Sequence, residues 1–200
     1  MKVLLLGPER PDLERVMFEA GDRIIRTEAP VAPGDPALEN ADVLVSFGFR
    51  HIIPAAVLEP FGIRAINLHI SLLPWNRGAD PNLWSYLEDT PKGVTVHVLD
   101  AGLDTGPILV QREVADEPGD TLRTSYERLT LAITDLFAEE WPRLRSGAID
   151  PCPQVGIGSS HRSADKAPYE HLLTDGWDTS VAALVGWALL VLASQLWRRR

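Results

Sequence analysis

Apolar residues fill positions 3–6 without a break and stop at Gly7-Pro8, the pattern of a strand buried on both faces and closed by a turn. The spacing predicts a short helix over 12–20 ending at Gly21, then a strand over 23–27. Residues 28–40 are rich in Pro and Gly and read as loop. A third strand is predicted over 42–46, running into Phe47-Gly48-Phe49, with a short helix over 54–59. The run 63–69 is apolar enough for a central strand, and a loop over 70–80 follows it. Pro81 suits the first turn of a helix reaching about Glu88. Two more strands, over 93–100 and 107–114, flank a tight loop. Apolar positions Leu122, Tyr126, Leu129, Ile133, Leu136 and Phe137 then make the stripe of a long helix over 121–144. Strands alternating with helices predict an α/β fold with a largely parallel sheet.

The pattern changes near residue 145. The expected organisation is one α/β unit over 1–145 and an extension over 146–200, irregular at 147–168 and carrying an apolar helix at 181–197. That uncharged stretch precedes Arg198-Arg199-Arg200. As a helix it spans roughly 25 Å, short of the ~30 Å hydrocarbon thickness of a bilayer. Packing on the domain or in a homodimer seam is therefore favoured over a membrane tether. Ala182 and Gly186, one helical turn apart, would allow close approach of a second helix, although ordinary core packing explains them equally well.

Composition narrows the classes. The 200 residues suffice for a core without staples. Cys152 is the single cysteine, so no intramolecular disulfide is available and nothing indicates an oxidising compartment; a cytoplasmic location is expected. A net charge of −9 argues against a nucleic-acid surface while leaving room for a nucleotide in a locally basic pocket. The opening MKVLLLGPER has too short an apolar run for a secretory signal.

The candidate chemistry lies in INLHISLLPWNRG (66–78) and GVTVHVLDAGLDTGPI (93–108). Asn67 and His69 are two apart on a strand and so share a side. A carboxylate arriving from a second strand end, Asp104, would complete an amide–imidazole–carboxylate set. Such a set suits acyl transfer: the amide meets a developing oxyanion, the imidazole handles a proton, and the carboxylate orients the imidazole. Taken singly, each has an ordinary structural explanation: a turn cap, a core histidine, a turn-former.

These two motifs together resemble the catalytic domain of the formyltetrahydrofolate-dependent formyltransferases, over about residues 1–145. That family includes glycinamide ribonucleotide formyltransferase, methionyl-tRNA formyltransferase and the amino-sugar N-formyltransferases. Its pattern is Asn-x-His before Ser-Leu-Leu-Pro, then a distant Asp in Leu-Asp-x-Gly. The resemblance implies a modified Rossmann-like fold with helices on both faces of the sheet. It implies N10-formyltetrahydrofolate as co-substrate without a metal, and catalytic roles for Asn67, His69 and Asp104. It also implies a pterin pocket from SFGFRHIIP (46–54) and LDAGLD (99–104), with Phe49, Ile52, Ile53, Leu99, Asp100 and Leu103 around the ring.

The stretch RGADPNLWSYLEDTPKGVTVH (77–97) is similar to the sugar-nucleotide branch, with WPRLRSG (141–147) and GSSHRSADK (158–166) as weaker cues. The amine is then expected on a nucleotide-linked sugar, with Asn76, Arg77 and Asn82 as substrate contacts. Arg77 offers a planar fork for phosphate or carboxylate, or an ion pair with Asp80. The turn Gly7-Pro8-Glu9-Arg10 lacks a glycine-rich phosphate cradle, which weakens the alternative of a glycinamide ribonucleotide enzyme. A non-catalytic folate or nucleotide binder is the other alternative, disfavoured by the presence of all three catalytic residue types.

Overall fold

In the computed structural model, which describes residues 1–187, the first apolar run forms β1 (Lys2–Leu6), an interior strand of a six-stranded sheet. Along the chain follow α1 (Pro11–Glu19), β2 (Arg23–Thr27), β3 (Val43–Ser46), α2 (Ala55–Leu58), β4 (Ala65–His69) and the two-residue β5 (Arg77–Gly78). Next come α3 (Pro81–Leu87), β6 (Gly93–Val98), β7 (Ile108–Glu113), α4 (Leu122–Ser146) and β8 (Ser160–His161). The sheet order is β2-β1-β3-β4-β6-β7. β2, β1, β3 and β4 are parallel, whereas β6 and β7 join antiparallel.

Period-two alternation sorts β1 onto two cores. Val3 and Leu5 pack with Leu13 and Met17 of α1 and with Leu129, Ile133, Leu136 and Phe137 of α4. Leu4 and Leu6 face the opposite way, onto Val31, Phe61, and Val57 and Leu58 of α2. Helices therefore cover both faces, as the unbroken apolar run requires. Each such side chain, fully buried, stabilises the fold by ~2–3 kcal/mol before entropy is counted.

The long helix α4 has defined ends. Thr121 caps its start, accepting from the Thr124 N–H while the Thr124 hydroxyl answers the Thr121 N–H. Gly147 closes it in the left-handed region at φ 71°. Near this end the Trp141 Nε1–H (2.9 Å) and the Arg145 guanidinium (3.0 Å) donate to Asp22, whose carboxylate is buried before β2.

Beyond residue 146 the chain returns across the carboxyl edge of the sheet. Cys152 exchanges backbone hydrogen bonds with Ile108 at 2.7 and 2.8 Å, and β8 pairs in parallel with β5. The segment expected to be irregular thus contains β8, followed by a 3-10 helix over Ser163–Leu172. The helix expected over 181–197 does not begin at 181: Val181–Ala183 is a 3-10 turn and Gly186 sits at φ 74°. Val181 and Leu184 pack beside Leu83, Trp84, Tyr86, Leu87 and Leu122, and Gly186, in the left-handed region with its N–H given to the Tyr86 carbonyl at 3.0 Å, interrupts a helix there. Residues 188–197 of that expectation lie outside the described residues. Among the described residues no helix is long and apolar enough to cross a membrane.

Candidate active site

Asn67 and His69 end β4 at the carboxyl edge of the sheet, where open α/β sheets hold ligands. The antiparallel register sets Asn67 directly opposite His97 of β6. Asp104 comes from the turn joining β6 to β7, at φ 52°, a conformation disfavoured for a residue with a Cβ. That turn closes tightly: a Cβ on Gly106 would overlap the Val98 carbonyl. The Asp100 carboxylate braces it by accepting from the Gly102 N–H (3.0 Å) and the Thr105 hydroxyl (2.8 Å).

The three expected catalytic residues converge. The Asp104 carboxylate accepts from the Gly78 N–H at 2.8 Å and from the Asn67 amide at 3.2 Å. It also lies 3.6 Å from His69 Nδ1 and 3.4 Å from His97 Nε2. His69 Nε2 is 3.0 Å from the Asn76 carbonyl. A carbonyl only accepts, so Nε2 carries the hydrogen and neutral His69 turns the Nδ1 lone pair toward Asp104.

The electrostatics separate the two groups. Burial pushes the His69 pKa below its ordinary value, and His97 adds to this; Asp104 and the Asn76 carbonyl oppose it without prevailing. Burial pushes the Asp104 carboxyl up, but His69, His97 and the Gly78 N–H outweigh it and hold the group well below the usual carboxylate range. At neutral pH the site holds an unprotonated imidazole beside an ionised carboxylate, a base next to the charge that would stabilise its protonated form.

His97 is a fourth member that the motif reading passes over. It is buried, its Nδ1–H donates to the Val98 carbonyl at 2.9 Å, and its Nε2 accepts from the Asn67 amide at 3.2 Å. The signal was present in Val94-Thr95-Val96-His97-Val98. In a strand otherwise made of valine, two polar residues of one parity mark a face that must find partners.

The other expected residues divide. Asn76, at φ 56° and fully buried, faces inward. Its N–H donates to Ser159 Oγ (3.0 Å), its side-chain oxygen accepts from the Thr90 hydroxyl (2.8 Å), and its amide reaches Glu88 and Ser159 (3.3 Å each). It holds the carbonyl on which His69 rests. Arg77 is half-buried and does not meet Asp80, which pairs with Lys166 at 3.0 Å; its Nε and Nη2 instead donate to the Gln154 side-chain oxygen at 2.9 and 2.8 Å. Asn82 is buried between α3 and α4, donating to the Leu122 carbonyl (2.9 Å) and accepting from the Ser125 hydroxyl (2.8 Å). Of the expected ring contacts, Phe49, Ile53 and Leu99 are half-buried against the α2-side core, whereas Ile52 is 91% and Leu103 51% exposed.

The sequence profile of the family described as Formyl transferase matches residues 26–139. The chain is similar, at TM-score 0.92 and 53% identity, to the crystal structure of the formyltransferase PseJ from Anoxybacillus kamchatkensis in complex with UDP-4,6-dideoxy-4-formamido-L-AltNAc and tetrahydrofolate. That match covers 94% of this chain and 100% of the other. It is 38% identical over 118 residues to the methionyl-tRNA formyltransferase of Thermodesulfovibrio yellowstonii, covering 58% of this chain and 38% of that protein. It is 36% identical over 111 residues to the dTDP-4-amino-4,6-dideoxyglucose formyltransferase of Mycobacterium bovis, covering 56% and 47% respectively. The chain thus spans less than half the length of these two curated relatives. The profile takes in Asn67, His69, His97 and Asp104 and extends over more than half of the sequence, and on that ground the chain belongs to the formyl transferase family.

Proposed function

We propose that this chain is an N-formyltransferase that moves a formyl group from N10-formyltetrahydrofolate to the amine of an amino-sugar nucleotide. The observation that carries the proposal is the meeting of Asn67, His69 and Asp104 at one sheet edge, in a chain of which 94% is matched by the sugar-nucleotide-bound PseJ structure. The methionyl-tRNA formyltransferase match is weaker, at 38% identity over 58% of the chain.

The residues present fit a folate. Ile52 and Leu103 leave apolar surface uncovered, and Phe49, Ile53 and Leu99 pack on the core close by in sequence, a composition suited to a flat ring. When bound, the folate supplies the formyl carbonyl. Asn67 offers an amide N–H to the oxygen that becomes negative as the amine attacks. His69 Nδ1 takes the proton shed by the amine. The imidazolium so formed is stabilised by the Asp104 carboxylate on one side and the Asn76 carbonyl on the other. Asn67 spends one amide hydrogen on His97 and the other on Asp104, so engaging the oxyanion means releasing the Asp104 contact while His97 keeps the amide oriented. Arg77 has a neutral partner in Gln154, which leaves its charge for a phosphate of the nucleotide. Val181 and Leu184 pack on the domain, beside α3 and Leu122.

The test is a panel of acceptors given with N10-formyltetrahydrofolate: UDP- and dTDP-linked 4-amino sugars, glycinamide ribonucleotide and methionyl-tRNA. Mass spectrometry should find the formyl group on a nucleotide sugar. Formylation of the ribonucleotide or the tRNA alone would overturn the assignment.

A further inference from the structure

The side chain of Gln154 uses its whole hydrogen-bonding capacity on the walls of the site. Its amide nitrogen donates to the Asp104 carbonyl and to the Gly106 carbonyl, both at 2.8 Å. Its oxygen accepts Nε and Nη2 of Arg77 at 2.9 and 2.8 Å. Two donors and two lone pairs are all an amide has. The next residue after Arg77 is Gly78, whose N–H holds the Asp104 carboxylate at 2.8 Å. A closed ring results: from the Asp104 carboxylate to the Gly78 N–H, through Arg77 to Gln154, and back to the Asp104 carbonyl. This ring surrounds the one catalytic residue that stands in a left-handed backbone conformation, at φ 52°. Such a conformation in a residue with a Cβ persists only where its surroundings over-determine it.

We propose that Gln154 is a positioning residue for formyl transfer, locking the Asp104 turn so that the carboxylate stays aimed at His69 and Asn67. It touches no reacting atom and acts through Asp104. It lies in the returning segment beyond 146 and outside the 26–139 family match, so this part of the chain completes the catalytic geometry. The inference rests on the formyltransferase reading.

Two full-length variants test it. Gln154→Met keeps the length of the side chain and loses every hydrogen bond. Gln154→Glu keeps an oxygen for Arg77 and loses both donors to the turn. Because a misplacement near 1 Å can cost a reaction ~100-fold, both should lower kcat by ~10–100-fold while KM for N10-formyltetrahydrofolate stays within about twofold; KM for the sugar nucleotide should rise most in Gln154→Glu, whose carboxylate neutralises Arg77. Hydrogen exchange should quicken across residues 102–106 in both, with little change in Tm. Wild-type kcat in Gln154→Glu would mean that only Arg77 needs a partner and would overturn the inference; a loss confined to KM, or unchanged exchange at the turn, would do the same. A wild-type protein that transfers no formyl group would overturn the function instead, and the exchange measurement would still decide whether Gln154 holds the turn.

Discussion

Replacing Asn67 by Ala tests the oxyanion assignment most directly. The amide makes two contacts, at 3.2 Å to His97 Nε2 and 3.2 Å to Asp104 Oδ1. Losing them costs about 1 kcal/mol of stability each, and less where solvent can replace the partner, since the site is half open. The Asp104 carboxylate keeps the Gly78 N–H at 2.8 Å, and the His97 ring keeps its Val98 anchor at 2.9 Å. The frame of the site should therefore survive, with Tm lowered by ~2–8 °C for a chain this size. Loss of one preorganised oxyanion donor typically removes ~100–1000-fold from kcat, about 3–4 kcal/mol of transition-state stabilisation. The two effects differ enough to be separated by steady-state formyl transfer, with N10-formyltetrahydrofolate saturating, beside a thermal melt of the same preparation. A variant with kcat within threefold of wild type, or one whose loss lies wholly in KM, would remove Asn67 from the chemistry and leave it a spacer between His97 and Asp104.

Three further outcomes are expected. Activity needs neutral His69, whose pKa burial lowers, so the acid limb of the kcat profile should fall below the ordinary histidine value of ~6.5. Asp104 opposes that lowering, so Asp104→Asn should move the limb to still lower pH as well as reduce kcat; a limb that moved upward would contradict the assignment. His97→Phe should keep the protein folded and lower kcat ~10-fold or more, because the Asn67 amide loses the acceptor that orients it; unchanged kinetics would make His97 ordinary core. Asp22→Ala leaves the Trp141 and Arg145 donors without their buried acceptor and should cost about 3–5 kcal/mol, seen as a lower denaturation midpoint with kcat preserved in the surviving fold. A shift below 1 kcal/mol would show that water replaces that carboxylate.

Much of this architecture was legible because its elements obey local rules. The apolar runs of β1 and β3 advertise burial on both faces, and the stripe through Leu129, Ile133 and Phe137 advertises a helix. Asn67, His69 and Asp104 were legible because a two-residue spacing and a strand-end turn carry their own geometry. Residue type alone does not tell that the Asn82 amide donates to the Leu122 carbonyl of a neighbouring helix. Gln154 gave no signal, since its partners at 77 and 104 are brought near only by the return of the chain. The start of the expected tail helix differs because Gly186 adopts φ 74° and gives its N–H to the Tyr86 carbonyl, a partner far away in sequence.

The pairing of β4 with β6 has one further consequence. Asn67 and His97 are neighbours by the ladder itself, and the 29 positions between them have no part in setting that distance. The ladder alone thus holds the amide beside its acceptor, while the segment 77–88 sets where the Gly78 N–H meets Asp104 and packs its buried residues elsewhere, against Leu122 and Val181. A scaffold of this kind keeps its reaction constant while its choice of acceptor drifts, and relatives that formylate quite different amines are what it would leave behind.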